Sequence, residues 1–221
     1  MAGSVAEERI RKLAVASMRR RWPEARIVHE LQLEQGGIRI DLAAVSPDFL
    51  ALAEIKSERD VLKRLPAQVR RSIAVADEVW IVVAEKHAQA VADMRSSYAT
   101  GEDEAARSKR WEVAEALRGA RVLVERPHGA LEMDTWSMRE RPNTPDPRRR
   151  FDLLWRDEMA SALGRHFGGA AIPSAKLTRS AMTALAIEHM TGRELRRAVC
   201  AQLRDRSFPR ADVRASLAEQ G

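Results

Sequence analysis

The chain has 221 residues, 45% of them hydrophobic, which is enough for one large domain or for a domain with a smaller companion. Its one cysteine, Cys200, excludes an internal disulfide framework and a zinc site built from cysteines. No apolar run is long enough to span a bilayer, and the first residues lack the apolar core of a signal peptide. We therefore expect a soluble, cytoplasmic protein without a membrane partner.

The net charge of +6 is concentrated in the last third of the chain. Residues 1–145 carry 24 Lys and Arg against 23 Asp and Glu, whereas residues 146–221 carry 14 against 9. A basic C-terminal region suits nucleic-acid binding, and a solvated helical surface explains the same charge equally well. Only six of the 38 basic residues are lysines, so a lysine at a given position is more informative than an arginine.

The first predicted element is a helix over residues 4–21. Ser4 and Glu7 have the spacing of a capping box, and Pro23 follows the predicted end. One buried face is predicted by the apolar side chains that recur at helical spacing, which are Ile10, Leu13, Ala14 and Met18.

Three short extended segments follow the helix, over residues 27–33, 38–45 and 49–56. Turns at Gly36-Gly37 and at residues 46–48 separate them, so we expect an antiparallel three-stranded meander. Alternation predicts that one face of the first strand carries Ile27, His29, Leu31 and Leu33. The same rule predicts that one face of the second strand carries Ile38, Ile40 and Leu42.

The middle of the chain predicts further helices and strands. The expected elements, in chain order, are a helix over 58–76 broken near Pro66, a strand over 78–84 buried on both faces, a helix over 86–98, a polar loop over 99–111 and two short strands within 120–136. This order is typical of an α/β protein whose sheet has mixed strand directions.

The C-terminal third changes character and is predicted to be helical. Residues 139–150 contain three prolines and a block of arginines, and we interpret them as a linker. Helices are predicted over 151–167, over 174–190, and from Thr191 with Glu194 completing a capping box. The predicted domains are therefore an α/β domain over 1–138 and a basic helical domain over 151–221.

Asp41 on the second strand and Glu54 at the end of the third are candidate metal ligands. Antiparallel pairing across one turn brings them side by side, and adjacent carboxylates repel each other unless they share a positive partner. A hard divalent cation, Mg²⁺ or Mn²⁺, suits such oxygen ligands. Lys56 lies on the same strand face as Glu54 and can orient a water or stabilise charge at a phosphate. The set suits the hydrolysis of phosphodiester bonds.

The triplet formed by Glu54, Ile55 and Lys56 carries little information by itself, because composition alone gives such a triplet often. Its context is more specific. It ends an apolar strand, follows a strand that bears an aspartate, and uses one of only six lysines. The alternative interpretation is a surface Glu–Lys pair at a strand end, which would contribute little to stability.

This pattern resembles the PD-(D/E)XK nuclease superfamily over residues 4–84, with Asp41, Glu54 and Lys56 matching the motif in turn and Ile40 standing where the motif proline would be. The run EIKSERDVLKRLPAQ is similar to a small bacterial and phage branch with EIKS followed by R-D-x-L-x-R-L-P-x-Q, near the MmcB-like proteins linked to DNA repair. The resemblance implies a restriction-endonuclease-like α/β core of helix, three-strand meander, helix and strand, followed by a helical region.

The resemblance also implies further site residues. The Ile55 carbonyl would assist the metal ligands Asp41 and Glu54, and Glu7 of the first helix would complete the set, although its capping-box role explains Glu7 equally well. Residues of the second helix region would contact the phosphate or the scissile strand, and the candidates are Arg64, Gln68 and Arg71. A solvated basic helix face is the alternative for these three.

We therefore expect a divalent-metal-dependent deoxyribonuclease with DNA as its partner. The alternative is a non-catalytic nucleic-acid-binding or protein-docking module that retains the same core. The C-terminal helices are candidates for contact with nucleic acid or with a protein partner, and the sequence leaves homo-oligomerisation open.

Overall fold

A computed structural model describes residues 5–33, 37–96, 103–134, 143–168 and 177–212. These residues form a mixed α/β protein with six strands and eight α-helices. The elements are α1 (Val5–Arg21), β1 (Arg26–Gln32), β2 (Arg39–Val45), β3 (Leu50–Lys56), α2 (Leu65–Ile73), β4 (Glu78–Ala84), α3 (Ala88–Arg95), α4 (Glu104–Arg118), β5 (Ala120–Glu125), β6 (Leu131–Met133), α5 (Pro147–Phe151), α6 (Arg156–His166), α7 (Arg179–His189) and α8 (Gly192–Asp205).

The six strands form one sheet in the order β1-β2-β3-β4-β5-β6. β1, β2 and β3 are the antiparallel meander that the two turns predict. β4 and β5 join parallel to β3 after helical crossovers, and β6 returns antiparallel. All seven residues of β3 and six of the seven in β4 are buried, which confirms the prediction of a strand covered on both faces at residues 78–84.

Helices cover both faces of the sheet. The predicted stripe of α1 buries Ile10, Ala14 and Met18 on one face, against Ile55 and Trp80 among others. The other face packs against α2 and the C-terminal helices. Because the carboxyl ends of β3, β4 and β5 point the same way, the residues that follow them gather at one edge of the sheet.

The predicted alternation of the first two strands is wrong beyond Glu30. This residue has a φ of 62°, which is unusual for a residue with a side chain, and it lies opposite Asp41 in the β1–β2 register. In a regular strand, side chains three positions apart face opposite sides of the sheet. Val28 and Leu31, on either side of this break in the alternation, nevertheless pack in the same core. On β2 this break places Ile40 and Leu42 in opposite cores.

Two predicted helix boundaries differ from the structure. The predicted helix over 58–76 begins as a 3₁₀ turn at Leu62–Arg64, and α2 starts at Leu65 with Pro66 in its first turn, so the expected break is confirmed. The helix predicted over 86–98 begins with a 3₁₀ turn at Glu85–His87 before α3.

The polar segment predicted as a loop over 99–111 was wrong from residue 104 onward. Residues 104–111 begin α4, because Asp103 caps the helix by accepting a 2.7 Å bond from the Ala106 N–H, and Ala114 and Leu117 are buried. The predicted linker over 139–150 also ends in structure, since α5 begins at Pro147 and Arg150 is buried. Parts of several predictions lie outside the described residues. They are the helix cap at Ser4, the turn at Gly36, the helix end at 97–98, the loop at 99–102, the linker at 139–142 and the helix start at 174–176.

The C-terminal helices pack on the sheet. α5 to α8 share one core with β1 to β5, and Ala211 forms a bridge with Val28 at the outer edge of β1. The capping box of Thr191 and Glu194 is confirmed at the start of α8. The division into two domains stays a prediction, and the described helices of the second share their apolar core with the first. Within the described residues, no helix combines the length and apolarity that crossing a bilayer requires.

Candidate functional site

The candidate site lies where Asp41 of β2, opposite the break at Glu30 of β1, meets the end of β3. The β2–β3 register pairs Leu42 with Ala53, and the next step along both strands brings Asp41 beside Glu54. The Ile55 backbone N–H donates a 2.8 Å hydrogen bond to Asp41 Oδ2. The structure therefore brings the predicted carboxylates together and fixes one of them to the backbone of the other's strand.

Glu54, Lys56 and Gln68 form a buried hydrogen-bonded cluster. Lys56 Nζ donates to Glu54 Oε1 at 2.7 Å and to Gln68 Oε1 at 3.1 Å, and Gln68 Nε2 donates to the same Glu54 oxygen. The side chains of Glu54 and Lys56 are only 4% and 10% exposed. The alternative of a surface Glu–Lys pair was therefore wrong, because both side chains are buried. Burying the two charges costs free energy that a solvated pair would not require.

One oxygen of Glu54 has no hydrogen-bond partner among the described residues. Its Oε2 is buried and accepts no hydrogen bond from the described residues. Burial and the charge of Asp41 raise the pKa of Glu54 to about 7, against the opposing effects of Lys56 and Gln68. Burial also raises the pKa of Asp41, opposed by the Ile55 N–H and by Arg11. The site thus holds two carboxyl groups that resist ionising together unless a further positive charge arrives.

Arg11 is the residue of this site that sequence reasoning missed. Its side chain is 5% exposed, and its guanidinium donates to the Asp41 carbonyl at 3.0 Å, to Asp41 Oδ1 at 3.1 Å and to Glu7 Oε1 at 3.0 Å. A signal was present, because Arg11 lies three and seven positions before Ala14 and Met18 of the buried stripe and four after Glu7. An arginine at a core position of a helix predicts a buried acidic partner.

The remaining predicted residues differ in their placement. Gln68 of α2 is inside the cluster, as described above. Arg64 and Arg71 are at exposed positions of the turn and helix that carry it. Both side chains are therefore accessible to solvent.

The turn after Lys56 is held by side chains. Asp60 Oδ2 accepts from the Ser57 N–H at 2.7 Å and from the Ser57 hydroxyl at 2.6 Å. His87 Nε2 lies 3.0 Å from the Ser57 carbonyl oxygen. Sequence reasoning assigned no role to these residues, although the Ser-x-x-Asp spacing is typical of a turn in which the aspartate side chain accepts hydrogen bonds from the serine. Together they fix the backbone directly behind the lysine.

The residues present fit a hard divalent cation. Among the described residues, no group of three or more His, Cys, Asp or Glu is arranged to hold a metal ion. Two carboxylates and the Ile55 carbonyl nevertheless suit Mg²⁺, which keeps several waters and needs few protein ligands. Glu54 Oε2, which accepts no hydrogen bond from the described residues and lies next to Asp41, is an oxygen that such an ion would bind.

The fold and site define a mixed α/β protein with a buried cluster of acids, lysine and glutamine at the end of a central strand. Residues 2–100 are similar to the family described as bacteriophage P4 protein cII. This match covers less than half of the chain and includes every residue of the cluster. No curated protein and no solved structure matches the chain.

Proposed function

We propose that this protein is a divalent-metal-dependent nuclease that hydrolyses phosphodiester bonds in DNA. The observation that carries the proposal is the buried, unpartnered Oε2 of Glu54, placed next to a second carboxylate and beside a buried lysine. Burying two like charges without a shared cation is unfavourable, so a cation bound by Asp41 and Glu54 would stabilise this arrangement. Perturbed carboxyl groups of this kind cluster at functional sites.

Asp41, Glu54 and the Ile55 carbonyl are the proposed ligands of Mg²⁺ or Mn²⁺. Such an ion, when bound, lowers the pKa of a water and neutralises charge on the phosphate. The protein contributes the preorganisation, because the Ile55 N–H holds Asp41 and Gln68 holds Glu54. Glu7, the further ligand that the sequence predicts, is bonded to Arg11 in this structure.

Lys56 is the proposed charged donor to the reacting phosphate. In the hydrolysis a water oxygen bonds to phosphorus and releases a proton to solvent, the bond from phosphorus to the leaving sugar oxygen breaks, and that oxygen takes up a proton from solvent. The Lys56 ammonium, held by Glu54 and Gln68, stabilises the negative charge that develops on the phosphate oxygens. Its burial strengthens this interaction, because a low local dielectric weakens electrostatic attraction less than water does.

Two further observations support the proposal, and a third concerns origin alone. The order α1, β1–β3, α2, β4 is the one implied by the resemblance to the PD-(D/E)XK superfamily and its restriction-endonuclease-like core, including the branch near the MmcB-like proteins. Arg64 and Arg71 are exposed on the turn and helix that carry Gln68, where they suit contact with a DNA backbone. The similarity to a phage family is compatible with a bacterial or phage origin.

The test is a cleavage assay with linear duplex, single-stranded and branched DNA, with and without Mn²⁺. Asp41→Ala and Lys56→Ala should each reduce metal-dependent cleavage by about a hundredfold or more, because each removes a group that acts on the reacting atoms. Lys63→Ala, at an exposed lysine of the neighbouring turn, is the matched control and should cleave normally. Undiminished cleavage by both site variants, with circular dichroism showing an intact fold, would contradict the proposal.

A second candidate is a non-catalytic nucleic-acid-binding or protein-docking module with the same core. The observation that favours it is that each carboxylate already has a cationic neighbour, Arg11 for Asp41 and Lys56 for Glu54. Calorimetry with Mg²⁺ and Mn²⁺ separates the two functions. Binding to wild type that Asp41→Asn abolishes supports the nuclease, whereas binding to neither form supports the module.

A further inference from the structure

The guanidinium of Arg11 occupies a position between two carboxylates. It bonds Glu7 Oε1 and Asp41 Oδ1 through the same nitrogen, Nη2, while Nη1 bonds the Asp41 carbonyl. Its side chain is 5% exposed, whereas that of Glu7 is 35% exposed. A buried guanidinium shared by two carboxylates from different elements supplies the positive charge that a metal ion bridging them would otherwise supply.

The two oxygens of Asp41 are used differently. Oδ1 faces Arg11, whereas Oδ2 accepts the Ile55 N–H on the side of β3, where Glu54 has its unpartnered oxygen. A metal ion held by Asp41 and Glu54 would therefore use the β3 side of the Asp41 carboxylate. A second ion on the α1 side would have to share Asp41 Oδ1 with a guanidinium only 3.1 Å away, and like charges at such distances repel strongly.

We infer that Arg11 takes the place of a second divalent cation, so that the site binds one metal ion and not two. This inference rests on the proposed function, since it presupposes that Asp41 and Glu54 hold an ion. Arg11 is a positioning residue, because it acts through Asp41. Glu7 is its partner on α1 and is not a ligand of the ion.

The test is the number of Mn²⁺ ions bound per chain, measured by calorimetry and by electron paramagnetic resonance of the protein without DNA. We expect one ion for wild type and two for Arg11→Gln, because the neutral amide removes the positive charge that Glu7 and Asp41 share and a second ion would replace it. Arg11→Lys restores the positive charge and should return the number to one. Arg11→Gln combined with Glu7→Gln should also bind one ion, because the second site then lacks a ligand.

Each result has a separate meaning. Two ions in wild type would overturn the inference and leave the proposed function standing, whereas no ion in wild type would overturn both. A folded Arg11→Gln that still binds one ion would also overturn the inference.

Glu7→Gln alone provides a second test if Arg11→Gln does not fold, since Glu7 is half-exposed. We expect this variant to keep one bound ion. If it loses Mn²⁺ binding as completely as Asp41→Asn does, Glu7 is a ligand and the inference is wrong.

Discussion

Asp41 Oδ2 accepts a 2.8 Å hydrogen bond from the backbone N–H of Ile55, the residue between Glu54 and Lys56. This bond joins β2 to the end of β3 at the point where Ile40 and Leu42, on either side of Asp41, pack in opposite cores. Because it fixes the aspartate relative to both charged residues, the separation of the two carboxylates is set by the sheet and not by side-chain rotamers alone. An asparagine at position 41 would keep an oxygen for this bond and lose the charge.

Metal-dependent stabilisation follows from that geometry. Adding Mn²⁺ should raise the melting temperature of wild type, and saturation at a hundred times the dissociation constant corresponds to about 2.7 kcal/mol of added stability. Asp41→Asn should lose this increment, because the site then offers one carboxylate. The measurement is thermal unfolding with Mn²⁺ and after its removal by a chelator. Asp93→Asn, at an exposed position of α3, is the control and should respond as wild type does.

The core of the candidate site was predictable from the sequence because it is local. Asp41, Glu54 and Lys56 lie on consecutive strands joined by a short turn, so period-two alternation and antiparallel pairing bring them together. Gln68 follows on the next helix and is within reach for the same reason. Where contacts are short in sequence, residue spacing determines which side chains meet.

The parts that sequence reasoning missed depend on exceptions to those rules. The positive φ of Glu30 reverses the facing of β1, and nothing in the residue type signals it. Arg11 lies on the buried stripe of α1, so its position was a usable signal, but its partner Asp41 lies thirty residues away and is not identified by helical spacing. The first half of α4, residues 104–111, was interpreted as part of a loop because it is polar, although Asp103 and the helix-forming residues after it were a usable signal.

His29 predicts a loss of stability on acidification. Burial and the charges of Arg210 and Arg11 lower the pKa of His29 from 6.5 to about 4, while Asp212 and Glu8 oppose this shift. At His29 the unfolded chain therefore binds more protons than the folded one between these values, so the contribution of His29 to stability is present above pH 6.5 and is lost as the pH drops toward 4. Glu54, whose pKa is raised to about 7, contributes in the opposite direction, so the effect of His29 is measured as the difference between wild type and a His29 variant. Urea unfolding at several pH values measures this difference.

The matched variants for this prediction are His29→Gln and His128→Gln. Stability of His29→Gln should fall less steeply between pH 6.5 and 4 than that of wild type, because the titrating group is gone. His128 has a side chain that is 62% exposed, and its replacement should leave the slope unchanged. Equal slopes for wild type and His29→Gln would contradict the prediction.

Arg26 of β1 should be a large contributor to stability. It is 7% exposed, and it donates to the carbonyls of Arg204 and Arg206 at 2.7 and 2.8 Å and to that of Asp212 at 3.0 Å. These carbonyls lie at and beyond the end of α8, where the helix leaves acceptors without partners. Arg26→Met should lower the free energy of unfolding by about 2–4 kcal/mol.

Chemical denaturation of Arg26→Met beside Arg20→Met tests this assignment. Arg20 is an exposed arginine of α1 that bonds Ser17, so its replacement should cost little. If Arg26→Met lowers the free energy of unfolding by no more than Arg20→Met does, the buried hydrogen bonds of Arg26 make no net contribution to stability.

Asp77 and Arg150 form the buried ion pair that fastens α5 to the sheet. Arg150 donates through Nη1 and Nη2 to the two Asp77 oxygens, and Asp77 Oδ2 also accepts from the Leu50 N–H at 2.8 Å. The Arg150 side chain is 4% exposed, so removing either partner leaves a charge in a buried place. Arg150→Met should therefore destabilise the protein by about 3–5 kcal/mol.

A double-mutant cycle with Asp77→Asn separates the pair from its surroundings. The two losses should add to more than the loss in the double variant, by at least about 1 kcal/mol, because the second change removes a charge that the first left unpaired. Arg149→Met, next to the pair with a side chain 61% exposed, is the control and should show no coupling to Asp77→Asn. Additive losses for Arg150→Met and Asp77→Asn would mean that α5 is held by its apolar contacts and not by this ion pair.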